Sequence, residues 1–135
     1  MESTYIQQRE AIANILQQSH DGILQLKQWT EGVNIKALAN TPQGAQDLAG
    51  DVMLLQAICE CAKQVQKRAP KLLLLRPEIP WRHVMSMRDR IAHGYFEIDI
   101  DYVDEIICND LDPLLEAVDA LIQMLPAIPD SEIFG

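Results

Sequence analysis

Met87-Arg88-Asp89-Arg90-Ile91-Ala92-His93-Gly94-Tyr95-Phe96 is the most chemically crowded stretch of this chain, and the fold can be worked out from it in both directions. Val84, Met87 and Ile91 repeat at helical spacing, so the stretch closes an amphipathic helix, and Gly94 is its natural stop. Upstream, Pro77 and Pro80 hold residues 76–80 extended, and Trp81 opens the helix with Pro80 at or near its first position. The four leucines within Lys71–Leu75 are too short a run to read by period and suit an irregular or helical tail.

Downstream, residues 96–101 form a short connection. A last helix then runs from about Tyr102 to Leu125, with Ile107, Leu111, Leu114, Val118, Leu121 and Leu125 as its stripe. Pro113 lies inside that span, removes a backbone hydrogen bond and predicts a kink near Asn109. Pro126 and Pro129 close it, leaving residues 127–135 as a C-terminal tail that is mobile or docks on a partner through Ile133 and Phe134.

The N-terminal half contributes two long helices. Ser3 is a fair N-cap for the first, whose stripe is Ile12, Leu16, Ser19, Ile23 and Leu26, with Gly22 a weak point and Gly32 the C-cap. Residues 35–39 suit a short helical turn. Thr41-Pro42 starts the second helix, which reaches Ala69 with Leu48, Val52, Leu55, Cys59, Ala62 and Val65 on one face. Leu54, Ala57, Ile58 and Cys61 make a second apolar face, which implies burial on two sides, in a bundle centre or at a subunit contact. Glu60 stands on this otherwise apolar helix and needs a partner. The expected architecture is an all-α, up-and-down helical bundle in one domain, residues 1–126.

Composition agrees. The chain has 135 residues, 48% of them apolar, enough for one folded core but not two. No apolar run approaches the roughly 20 residues that span a bilayer, and the N-terminus lacks the pattern of an export signal, so the expectation is a cytoplasmic protein without membrane contact. The net charge of −9 argues against a general nucleic-acid coat protein, because phosphate affinity rests on Lys and Arg. It leaves room for one local basic cleft and for a more basic protein partner. Cys59, Cys61 and Cys108 read as buried thiols acting as small hydrophobes. Asp99, Asp101, Asp104, Asp110, Asp112 and Asp119 read as a solvated acidic face, so neither a metal nor a cofactor is expected.

An Arg-rich helix end is ordinarily a solvated face in favourable contact with the helix dipole. The same groups also suit phosphate chemistry. Metal-free RNA cleavage needs a group to take the 2′-OH proton and one to protonate the leaving 5′-oxygen, and a histidine can do either near neutral pH. It also needs positive charge on the transition state, which the arginine fork supplies. Arg88 and His93 are five residues apart, about 140° of rotation on an ideal helix, so they would not share a face there. Either the helix unwinds at Gly94, or a cleft forms from two copies across a two-fold axis. Arg82, His83, Arg90 and His20 read as surface or rim charges.

Arg88-Asp89-x-x-x-His93-x-Tyr95, set between Pro77-Glu78-Ile79-Pro80-Trp81 and His93-Gly94-Tyr95-Phe96, resembles the HEPN superfamily pattern, and the tyrosine after His-Gly resembles its HepT-like toxin branch. The resemblance covers about residues 20–122. It implies a homodimeric HEPN bundle with Arg88 and His93 as catalytic residues at the dimer cleft, Asp89 as a supporting polar residue, and metal-independent endoribonuclease activity on RNA. It also implies a toxin–antitoxin pair in which a minimal nucleotidyltransferase antitoxin adds AMP to Tyr95. The alternative is a catalytically silent HEPN binding module that pairs with a nucleotidyltransferase. The chain departs from the family at Cys59-Glu60-Cys61-Ala62, where Gly-Glu-Ala is common, and at Met53, where a basic residue is common.

Overall fold

The structure, a computed structural model, describes residues 2–134. Six α-helices carry the chain: α1 (Glu2–Thr30), α2 (Pro42–Arg68), α3 (Trp81–Ile91), α4 (Ile100–Asn109), α5 (Leu111–Met124) and the single turn α6 (Asp130–Ile133). Short 3-10 turns lie at Ile35–Asn40, Leu73–Leu75, Tyr95–Glu97 and Leu125–Ala127. Among the described residues the only strand-like pairing is one bridge, Ala92 to Ile98, so the fold is an all-α bundle.

The framework is the antiparallel pair α1 and α2. Ile12, Leu16, Ser19, Ile23 and Leu26 of α1 are all buried, as are Leu48, Val52, Leu55, Cys59, Ala62 and Val65 of α2. Gly22 lies beside Leu54 and Ile58 of α2, where a Cβ would sit in ordinary contact at 3.4 Å. The second apolar face of α2 is divided: Ile58 is buried, Leu54 and Cys61 are partly covered, and Ala57 is exposed. α3 packs on α2, and α5 packs on α1. Thr41 caps α2 by accepting from the Gly44 N–H at 3.0 Å, and Pro42 takes the first position. The side chain of Ser3, the expected cap of α1, lies outside the described residues. Gly32 ends α1 with a left-handed φ of 69°.

Three expectations need correction. The last long helix is two helices: the chain breaks at Asp110, so Pro113 stands in the first turn of α5, where its missing N–H has no intrahelical partner to lose. The tail is neither mobile nor free: Ile128 and Ile133 are buried in the core, and Phe134 stacks on Tyr5 with ring centroids 4.8 Å apart. Arg9 fastens it, pairing with Asp130 at 2.7 Å and donating to the carbonyls of Leu125 and Ile128. Finally, Cys59 is buried and Cys61 partly so, but Cys108 is exposed. No described helix is long and apolar enough to cross a membrane.

Candidate functional site

The site begins with how α3 is held. Trp81 donates its indole N–H to the Arg76 carbonyl at 3.0 Å, which fixes the Pro77-Glu78-Ile79-Pro80 segment against the start of α3. Pro80 is the N-cap rather than the first helical residue. Trp81, Val84, Met87 and Ile91 are buried, which sets the rotation of the helix and leaves Arg88, Asp89 and Arg90 on the solvent side.

The helix stops three residues before Gly94. Ala92 is extended, with φ −166° and ψ 144°, and the chain then folds into a compact loop. The Ala92–Ile98 bridge closes the base, with the Asp99 N–H donating to Ile91 at 2.9 Å and the His93 N–H to Glu97 at 3.4 Å. Gly94 turns the tip at φ 128°, a conformation in which a side chain would be strained although the space around it is open. His93, Tyr95 and Phe96 sit on this tip, all exposed, with the two rings edge to face at 5.2 Å. Because His93 lies beyond the helix, the 140° of ideal-helix rotation does not separate it from Arg88.

Arg88 is positioned from α2. Its Nη1 is 3.2 Å from Glu60 Oε2, and Gln64, one turn on, donates to the other Glu60 oxygen at 3.0 Å. The Gln64 hydrogen bond is the largest effect and holds the Glu60 carboxyl below its usual range; burial opposes it, and the charges of Lys63 and Arg88 add to it. One turn before Glu60, Gln56 donates to the carbonyls of Arg88 at 3.0 Å and Ala92 at 3.4 Å. Those are last-turn carbonyls that would otherwise lack partners. Gln56, Glu60 and Gln64 thus form a polar rail at four-residue spacing along α2, on which the end of α3 rests.

The requirement of Glu60 for a partner was visible in the sequence; Gln56 carried no signal, because a glutamine on a helix surface is ordinary. Asp89 is exposed beside Arg88. Arg90 is committed elsewhere, with its guanidinium 3.8 Å from the centroid of the Tyr102 ring. Tyr95 Oη makes no hydrogen bond among the described residues and is open to a reagent. No group of three or more metal-ligating side chains occurs among the described residues.

Such an arrangement offers a guanidinium fixed by a carboxylate, an imidazole on a pinned but exposed loop, and a reachable phenol. Two exposed apolar side chains stand on the same elements: Phe96 on the loop is 95% exposed, and Met53, one turn before Gln56 on α2, is 76% exposed.

Comparison with known proteins gives a consistent family. The family model described as Ribonuclease HepT-like matches residues 21–121, which include all of α2 to α4 and most of α5. A curated relative, the probable ribonuclease HepT of Thermococcus cleftensis, is 32% identical over 63 residues, 47% of this chain and 54% of that protein. The matched region therefore spans about half the length of that relative. No solved structure gives a significant match.

Proposed function

Because the chain belongs to the HepT-like ribonuclease family of HEPN proteins, we propose that it is a metal-independent endoribonuclease acting in the cytoplasm as the toxin of a toxin–antitoxin pair. The observation that carries the reading is the placement of Arg88, held by Glu60, at the foot of an exposed and pinned loop bearing His93. Two copies facing each other across a two-fold axis would turn this open surface into a cleft, and exposed Met53 and Phe96 supply apolar area for the contact.

In that cleft one His93 takes the proton of a ribose 2′-OH. The 2′-oxygen then bonds to the adjacent phosphorus, and the bond to the 5′-oxygen breaks. A protonated His93 of the partner subunit delivers the proton that the 5′-oxygen needs. Arg88 carries the negative charge that collects on the non-bridging oxygens. Asp89 supports the arrangement as a polar neighbour.

Control follows from Tyr95. A minimal nucleotidyltransferase antitoxin would transfer AMP from ATP to Tyr95 Oη, the phenolic oxygen bonding to the α-phosphorus as pyrophosphate leaves. The phosphate and purine would then stand two residues from His93 and occupy the cleft in place of RNA.

The test is cleavage of total cellular RNA by the chain purified without its antitoxin, with chelator present, beside His93→Ala. Cleavage by the wild type alone supports the reading. Equal cleavage by both, or none by either while both are folded, contradicts it.

A further inference from the structure

A second site stands apart from the motif. Between α2, α3 and the α4–α5 junction lies a cavity of about 350 Å³. That volume falls in the range of small-molecule pockets, about 300–1,000 Å³. Its floor is apolar, built by Ile58, Met87, Ile106 and Leu114, and its rim carries His83, Glu105 and Asp110. Neither Arg88, His93 nor Tyr95 lines it.

The rim is electrostatically incomplete. Asp110 stands at the break between α4 and α5, and its side chain does not cap the helix that follows. Burial first, and then the neighbouring charge of Glu105, raise its carboxyl, while His83 lowers it. Glu105 and Asp110 have no ion pair or hydrogen-bonded side-chain partner among the described residues. Glu78, also on the rim, is by contrast tied to Arg76 at 2.7 Å. Two carboxylates without an ion-paired or hydrogen-bonded side chain thus share the rim with His83 above an apolar floor. A phosphate or carboxylate ligand would be repelled, and a metal ion would leave the floor uncovered.

We propose that this cavity binds a small organic monocation, with an ammonium held between Glu105 and Asp110 and an apolar body resting on Ile58, Met87, Ile106 and Leu114. The site does not depend on the nuclease reading. It does adjoin the motif's support: the lining residues Cys59 and Met87 are the chain neighbours of Glu60 and Arg88, so an occupant bears on both helices that carry that pair.

The test is isothermal titration of the full chain with tryptamine, an aromatic ammonium, and with tryptophol, its neutral alcohol counterpart. Tryptamine binds with a Kd below about 1 mM and at least about tenfold more tightly than tryptophol. The double variant Glu105→Gln, Asp110→Asn, whose changes are both at exposed positions, removes that preference while retaining the helical signal of the wild type. Failure of tryptamine to bind, equal binding of the two probes, or tryptamine binding unchanged in the double variant overturns the proposal. So does a concentration-dependent shift of the Ile106 and Leu114 methyl resonances without any probe, which would assign the cavity to a second copy of the chain.

Discussion

Arg88 Nη1 and Glu60 Oε2 stand 3.2 Å apart, an ion pair that joins the last turn of α3 to the middle of α2. Both side chains are substantially exposed, so the pair contributes no more than about 1 kcal/mol to stability. Its consequence is positional. Glu60→Gln keeps the size but removes the charge and one of the two acceptor oxygens, which receive Arg88 and Gln64. The expected outcome is an RNA cleavage rate lower by about tenfold, mostly in kcat, with an unfolding midpoint close to wild type. Equal kinetics for Glu60→Gln and wild type would mean that Glu60 does not position Arg88.

Gly94 tests the loop rather than the charges. Its φ of 128° strains any residue with a side chain, although nothing lies within 4 Å of where a Cβ would sit. Gly94→Ala should cost about 1–3 kcal/mol, taken locally as a rearranged tip that misplaces His93. Gly50→Ala is the control, since Gly50 lies within α2 with open space around it and should be neutral or stabilising by up to about 1 kcal/mol. Thermal unfolding and cleavage measured on both variants separate the loop's geometry from a general glycine effect.

Much of this was legible in the sequence. The buried stripes of α1, α2 and α3 are the ones the spacing of Ile12–Leu26, Leu48–Val65 and Val84–Ile91 predicts, because helical periodicity reports directly on burial. The Thr41-Pro42 start was equally readable. What escaped depends on contacts distant in the chain. The tail looks like a loose apolar end until Arg9 receives Asp130 and Tyr5 receives Phe134, each more than a hundred residues away. Pro113 signalled a disruption but not its kind; a proline fits the first turn of a new helix better than a kink within one. In the motif, Arg88 and His93 were visible by type, whereas their support by Gln56 and Glu60 required α2 and α3 to be packed together. Ending α3 at Ile91 rather than Gly94 is likewise set by the Ala92–Ile98 bridge, which no local propensity announces.

The Arg9 clasp predicts how the termini stabilise each other. Arg9→Ala removes the Asp130 pair and leaves the Leu125 and Ile128 carbonyls without this donor. The expected loss is about 2 kcal/mol, read as a lower denaturant midpoint. Hydrogen exchange should quicken at residues 128–134 before it does in α2. Uniform exchange across the chain would show that the tail is not separately fastened.

Asp51 predicts a pH dependence. It is buried on α2, and burial first, then the charge of Asp47, raise its pKa from 3.8 to about 6. Between those values the folded chain holds a proton that the unfolded chain has released, so this group's contribution makes stability fall as pH rises through that window. Asp51→Asn should therefore stabilise the protein near neutral pH by about 1–2 kcal/mol and lose that advantage below about pH 4. Denaturant titrations at several pH values follow the difference between the two proteins; a difference that does not change with pH would contradict the assignment.

Cleavage of RNA by His93 and Arg88, through proton transfer and charge stabilisation, leaves its signature in the ends of the RNA fragments that the chain produces with chelator present, its Tyr95 first shown by intact mass to carry no adduct. Attack by the 2′-oxygen predicts 2′,3′-cyclic phosphate and 5′-hydroxyl ends, abolished in His93→Ala and in Arg88→Ala. Fragments ending in 3′-hydroxyl and 5′-phosphate, or the same cyclic ends made equally well by His93→Ala, would contradict it.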